Sequence, residues 1–503
     1  MIEHLPYAFS IALGWQVLAA MAIGTVAGII IGGLPGLGTV LGLVIALPFT
    51  FSMEPATAIA LLLALYVSSI YGGSISAILI NVPGTPQSAA SVLDGYPMSQ
   101  KGKGDLALGY ATIASFVGGV VSLVVLIIFA PQLARFALSF GPIETFALIL
   151  FALTTVAGVS ADDMLKGLIA TLIGLFLSLI GPDEMTGQIR FDFDNLFLAA
   201  GLSAIPLLIG IFAISEVLFQ AGIATDSGKA TVIKGGFRLP SWADWKPRLV
   251  TLLRSCGIGS MIGVLPGTGA TAATFVSYAD AKRRAPNPED FGQGEPSGLI
   301  ASEASNNAVS GGAMVPMLSL GIPGDAGTAV MLGALAIHNI APGAQLFQGQ
   351  PHTVALIFVL LFVANIFMLV FGAAGASLYS RVLQVPVTLL MPVVLLLCTV
   401  GTYAARSNPI DLVVMLVLGL AGFVMRLNRF PLAPIIIGFI LGAPLERALR
   451  QGLILTDTNI LAFFEKPIAL VLFIVTGLIL LNLMGLGRLA RRAFGRKAPH
   501  NAL

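Results

Sequence analysis

Apolar residues run through this chain in long unbroken stretches, without the stripe-and-gap alternation of a water-facing helix. Leu106–Ala130, Pro142–Ser160, Leu196–Phe219, Val354–Ala376, Ile410–Met425 and Pro467–Met484 are such stretches. Roughly 20 apolar residues carry a helix across a bilayer, and a helix apolar on every side is buried in protein or lipid. The pattern predicts an all-α polytopic membrane protein with about 11–14 membrane segments, about nine of them clear spans and the rest partial. Leu299–Ile322 and Ala326–Ile340 are ambiguous between full and broken spans.

The polar and glycine-rich interruptions repeat. Leu34-Pro35-Gly36-Leu37-Gly38-Thr39 returns 231 residues later as Leu265-Pro266-Gly267-Thr268-Gly269-Ala270. Val82-Pro83-Gly84-Thr85 is matched at an offset of 240 by Ile322-Pro323-Gly324-Asp325. Proline removes a helix N–H and glycine relaxes the backbone. Each site therefore interrupts a helix at membrane depth, where irregular backbone is tolerated only inside protein or beside an aqueous cavity. Matched breaks in two halves of a hydrophobic chain point to a transporter's binding site.

Composition supports this class. The chain is 57% hydrophobic and 10% charged, with mean hydropathy +0.95, against about a quarter charged in soluble proteins. No soluble segment is long enough for an ATP cassette, a catalytic domain or a nucleic-acid module, and no phosphate loop is visible, so neither an enzyme nor a nucleic-acid partner is expected. Cys256 and Cys398 are too isolated for a disulfide framework or metal site. The start has no basic segment, so no cleavable signal is expected.

Basic residues suggest orientation. None occurs before Lys101, and they cluster at Lys101/Lys103, Lys229–Arg248, Lys282-Arg283-Arg284 and Arg488–Lys497. Those clusters are read as cytoplasmic, and the acidic Asp183–Asp194 loop and the N-terminus as periplasmic. From one cytoplasmic cluster to the next, Leu249–Tyr278 has a return arm too short to span. It reads as a re-entrant hairpin with Pro266-Gly267 at its tip, and Gly14–Phe51 reads as its partner entering from the opposite face. The expected organisation is a first inverted repeat at 1–225, a linker at 226–248, a second repeat at 249–450, and an extra span with a basic, lipid-binding tail at 451–503. A parallel repeat with one span miscounted is the alternative.

The strings GGLPGLGT, YGGSISAILINVPGTPQSAASVLDGYPM, LPGTGA and EASNNAVSGGAMVPMLSLGIPG resemble the large membrane subunit of the tripartite tricarboxylate transporters, the TctA family. The resemblance runs from about Gly14 to Met484. It implies a bacterial inner-membrane secondary importer of carboxylates, driven by a Na⁺ or H⁺ gradient and without a cofactor. It also implies two partners, a small TctB-type membrane subunit and a periplasmic TctC-type solute-binding protein. Family members commonly carry a small hydroxyl residue where this chain has Asp325. A channel working without a binding protein is the alternative reading; no ring-forming filter motif is visible.

A carboxylate at the midplane must exchange water for fixed donors. No Lys or Arg lies before Lys101 or between Arg284 and Arg381, so neither broken-helix core supplies an arginine clamp. The expected donors are half-helix N-termini and neutral side chains. They comprise Pro35, Gly36, Gly38 and Thr39; Pro83, Gly84, Thr85, Gln87 and Ser88; Gly267, Thr268 and Gly269; and Gly324 with Thr328. Thr85-Pro86 reads as an N-cap followed by a first-turn proline. Glu303, Asn306 and Asn307 share one helical face in an apolar span. The two Asn are expected to bind substrate. Glu303 is read as a coupling-ion ligand, proton carrier or counter-charge, unless it is solvated at the cytoplasmic mouth. Asp325 caps the following helix and is also placed to hold Na⁺. Asp94 is read as a loop residue, and Glu144, Glu216 and Asp411 as interfacial.

Overall fold

Proline opens helix after helix in this chain, because its missing N–H is unneeded in the first turn and its φ is already helical. Pro55, Pro142, Pro296, Pro351, Pro409 and Pro467 each begin one. The computed structural model describes residues 2–159, 164–196, 198–223, 236–267, 269–383 and 387–483. In chain order the first eight principal helices are α1 (Trp15–Gly33), α2 (Gly38–Thr50), α3 (Pro55–Ile80), α4 (Ala89–Gln100), α5 (Gly104–Ala137), α6 (Pro142–Val159), α7 (Met164–Ser178) and α8, which runs as Ala204–Leu208, a π-helical Ile209–Ile214 and Ser215–Ile223. The next eight are α9 (Leu249–Val264), α10 (Gly269–Arg284), α11 (Pro296–Leu320), α12 (Ala326–Ile337), α13 (Pro351–Val382), α14 (Val387–Arg406), α15 (Pro409–Leu427) and α16 (Ala433–Leu455). A last helix, α17 (Pro467–Leu483), follows.

The first eight and second eight correspond one to one, and their packing repeats residue for residue. Along α1 and α3, Gly28 meets Leu65 and Ser68, and Gly32 meets Ser69. Along α9 and α11, Gly259 meets Ser305 and Gly263 meets Val309. The residues at these contacts are separated by the same 231 and 240 found in the sequence. Apart from the Ser68 hydroxyl against Gly28, these contacts are backbone against backbone, and all are too close for a side chain on the glycine.

Helix directions show that the repeat is inverted. Numbers rise together along α1 and α3, and along α9 and α11, so each hairpin's first arm runs parallel to the helix after the hairpin. Asn306 of α11 donates to the Ile70 carbonyl of α3, while Ile78 and Leu299 both pack on Gly95. Rising numbers on α3 thus meet falling numbers on α11, and these helices are antiparallel. The two hairpins therefore point in opposite senses, which removes the parallel-repeat alternative. The halves also exchange helices: α11 packs along α5 of the first half, and α3 along α13 of the second.

Among the described residues, seven helices are long and apolar enough to span a bilayer. The ambiguous Leu299–Ile322 stretch is a continuous 25-residue helix that stops at Gly321, in the left-handed region at φ 71°. Its counterpart α3 has 26 residues and stops the same way at Asn81, φ 61°. So these helices break at their ends, not within. The Asp183–Asp194 loop carries a two-residue β pair, Gly181–Pro182 with Ile189–Arg190. The N–H groups of Met185 and Thr186, with the Arg450 guanidinium, hold its Asp183 carboxyl down at about 2.

Several bland readings need correction. Asp94 is a buried residue inside α4, and its Oδ1 accepts the N–H groups of Gly292, Gly294 and Glu295 at 2.8, 2.8 and 2.9 Å. It ties α4 to the loop before α11. Asp411 is buried against Arg406, with contacts of 3.0 and 2.7 Å. Trp245 is buried on Tyr110, whereas Trp15 and Trp242 are exposed. The basic tail and part of the 226–248 linker lie outside the described residues.

Candidate functional site

Four chain reversals converge on one cavity. At each hairpin tip the chain turns through a glycine with positive φ, Gly36 at 91° and Gly267 at 78°, a region that other L residues enter only with strain. Pro35-Gly36 joins α1 to α2, and Pro266-Gly267 joins α9 to α10. The other two reversals follow α3 and α11. There Gly84 N–H donates to the Gly73 carbonyl at 3.1 Å, and the Gly324 carbonyl accepts Gly267 N–H at 2.8 Å. The second bond fastens a hairpin tip to a helix break.

The helices leaving these breaks start on matched caps. Thr85 is extended, Pro86 follows, and Ser88 Oγ accepts Thr85 N–H at 3.4 Å while meeting Thr85 Oγ1 at 2.6 Å. The first turn is 3₁₀, Pro86–Ser88, before α4 begins. At α12, Asp325 Oδ1 accepts Thr328 N–H at 2.7 Å and Thr328 Oγ1 accepts Asp325 N–H at 2.9 Å, a reciprocal capping box. The cap expected at Asp325 is present. Its second oxygen, Oδ2, accepts Tyr66 O–H of α3 at 2.9 Å.

The cavity between these parts has a volume of about 760 Å³. Of the residues expected at the site, Gly36, Gly38, Thr39, Pro83, Gly84, Thr85, Gln87, Gly267, Gly269 and Asp325 line it. Pro35, Ser88, Gly324 and Thr328 are not in the lining; they shape the turns and caps directly behind it. Thr268 lies outside the described residues.

Asn306 and Asn307 are a correction. Both are fully buried and neither lines the cavity. They face the packed helices because the α11 surface they share lies against α3 and its neighbours. Glu303 is likewise at 0% exposure, which removes the solvated-mouth reading.

The arginine argument also needs correction. Arg426, at the end of α15, lines the cavity and pairs with Glu216 of α8, whose Oε1 accepts from Gln220 at 2.7 Å. Its guanidinium lies 4.1 Å from the Phe219 ring centroid. Glu216 is 6% exposed and so is not interfacial. The broken-helix cores hold no arginine, but a helix outside them reaches in. Tyr66 was also missed, being one polar atom inside an apolar run. The described lining thus carries two carboxylates, Glu216 and Asp325, and one guanidinium.

The sequence model of the tripartite tricarboxylate transporter TctA family matches residues 18–437. Over 471 residues, 93% of each chain, the protein is 34% identical to an Agrobacterium vitis protein described as an uncharacterized 52.8 kDa protein in the TAR-I ttuC' 3'region. It is 33% identical over 212 residues, 42% of this chain and 87% of the relative, to a second A. vitis protein described as an uncharacterized protein in the TAR-II ttuC' 3'region. The matched span contains both hairpins, both helix breaks and Arg426, so this chain belongs to the tripartite tricarboxylate transporter TctA family and is a membrane subunit of that transporter class.

Proposed function

We propose that this chain is the translocating subunit of a binding-protein-dependent importer that draws carboxylates across the bacterial inner membrane on an ion gradient. A periplasmic TctC-type protein captures the substrate and a small TctB-type subunit completes the membrane complex. The observation that carries this reading is the cavity at the four helix breaks. Its lining offers cap and hairpin N–H groups, the Thr85 and Gln87 side chains, and Arg426 to an anion. Helix starts and turn amides favour negative charge there.

The charge balance favours coupling to a cation. Two carboxylates and one guanidinium leave the described lining one negative charge in excess. A polyanion entering such a space is unfavourable without cations, since charges interact strongly away from bulk water. The coupling ion, Na⁺ or H⁺, is assigned to Asp325 at the cavity and to Glu303 behind it. Movement of the inverted hairpin-and-break unit against the remaining helices, in elevator fashion, is the mechanism most in keeping with a site shared by both halves.

The test is uptake of labelled citrate, with dicarboxylate and aromatic-acid comparators, into vesicles holding all three components. Accumulation should require an imposed Na⁺ or pH gradient and should fall to background when the binding protein is omitted at low substrate. High-affinity uptake by this chain alone would contradict the tripartite reading. Flux that never exceeds equilibrium under an imposed gradient would favour the channel.

A further inference from the structure

Glu303 lies in the middle of α11 with its carboxyl closed off from the cavity. Its neighbours are hydroxyls. Ser91 of α4 bonds Oε1, Ser115 of α5 donates to Oε2 at 3.0 Å, and the Ser74 hydroxyl of α3 faces the same carboxyl. No cation stands against it among the described residues. The titratable group facing it is Tyr71 of α3, whose hydroxyl meets Thr112 at 2.8 Å, with Tyr379 of α13 beyond Tyr71. Neither neutralises a negative charge. A buried carboxylate without a counter-charge is very unfavourable and gains a proton or a cation instead.

The packing distinguishes the two. Around Glu303 the helices pack closely: a methyl on Gly118 would sit 2.2 Å from the Ala304 carbonyl oxygen, and one on Gly119 would sit 1.8 Å from the side-chain oxygen of Asn365. The hydroxyls fit a neutral acid. A protonated Glu303 donates to Ser91, Ser91 reaches Ser302 Oγ at 3.3 Å, and Ser302 ends the chain on the Gly298 and Leu299 carbonyls at 3.0 Å each.

A second observation lies on the same face. Asn306 Oδ1 and both amide atoms of Asn307 are buried and have no protein partner. They stand one turn beyond Glu303, towards the part of α3 that carries Tyr66 and, through it, Asp325 in the cavity wall. This face holds unsatisfied donors and acceptors between the buried acid and the cavity.

We propose that Glu303 is the carrier of a coupling proton, kept as a neutral acid in this conformation by its enclosure without a counter-charge, oriented by Ser91 and Ser115, and exchanging with the cavity along the Asn306, Asn307 and Tyr66 face. The step is a proton transfer alone. In net terms one O–H bond of a hydronium in the cavity breaks and one on a Glu303 carboxyl oxygen forms; each water that relays the proton along the way gives up one proton and takes another. This deepens the importer reading by choosing H⁺ for the buried site, and it rests on that reading only for the word coupling.

Infrared difference spectra of the purified full chain in nanodiscs test the site without substrate. At neutral pH the wild type should show the carbonyl stretch of a protonated carboxyl, shifted in D₂O and lost in Glu303→Gln. Ser115→Ala keeps the acid but removes a hydrogen bond, so the band should move to higher frequency. A band unchanged in both variants, no such band in the wild type, or its loss on adding Na⁺ would overturn the proposal. In three-component vesicles, Glu303→Gln should abolish acceleration of uptake by an imposed pH gradient; retained acceleration would also overturn it. Absence of wild-type uptake of every carboxylate tried would instead count against the importer reading, leaving the infrared result standing.

Discussion

Asp325 does two things with one side chain, and they separate on substitution. Its Oδ1 caps α12 and its charge faces the cavity. Asparagine keeps a capping oxygen, so Asp325→Asn should cost at most about 1 kcal/mol of stability, read as a small shift in thermal unfolding of the detergent-solubilised protein. It also removes one of two carboxylates from the lining. An uncompensated unit charge across such a cavity is worth roughly 1 to 2 kcal/mol. KM for the carboxylate should therefore fall about fivefold to thirtyfold, with weaker dependence on the coupling cation. An unchanged KM and cation dependence would confine Asp325 to its cap. At this scale the sequence was legible where function coincides with backbone breakage: Pro-Gly pairs and their following hydroxyls or acid announce themselves. It was illegible where the chemistry is a lone polar atom in an apolar helix. Nothing local tells that Tyr66 reaches Asp325, or that Glu216 and Arg426, 210 positions apart, meet at the cavity. The same blindness put Asn306 and Asn307 at the substrate, because helical spacing gives a shared face but not what that face touches.

The helix breaks differ in what they tolerate. A Cβ on Gly84 would lie 2.1 Å from the Gly32 carbonyl oxygen, and one on Gly324 would lie 2.6 Å from Ala313 Cα. Both are backbone collisions, so Gly84→Ala and Gly324→Ala should destabilise by about 1–3 kcal/mol each as the helices are forced apart. Gly269 meets nothing within 4 Å, but its φ is 69°. Gly269→Ala should cost only the left-handed strain, about 1–2 kcal/mol. Thermal unfolding of the three variants should place Gly84→Ala below Gly269→Ala, and the reverse order would show the hairpin end to be the tighter element. Element ends were readable from the sequence because proline starts and glycine stops are local chemistry. Element continuity was less so: serine, asparagine and glycine made α11 look broken, yet those small residues allow its close packing against α5 and α9.

Inversion was inferable from charge and period, and the antiparallel α3 and α11 bear it out. In chain order the Glu184 loop precedes, and Ser241 follows, one candidate span, Ala204–Gly222. Glu184→Cys should react with an impermeant thiol reagent added to intact cells, and Ser241→Cys only after permeabilisation. Equal labelling of both would discard the single crossing; exchanged labelling would turn the molecule over. What no local pattern revealed is the exchange of helices between halves. It has a consequence for biosynthesis. α3 leaves the ribosome carrying Tyr66, Ser68, Ser69, Ser74 and Ser76, all buried in the finished protein, yet α11 and α13 emerge more than 200 residues later. Throughout that interval the translocon must shelter a polar-faced helix that has no permanent seat. A chain cut short after α8 would be an orphan for membrane proteases, not half a transporter.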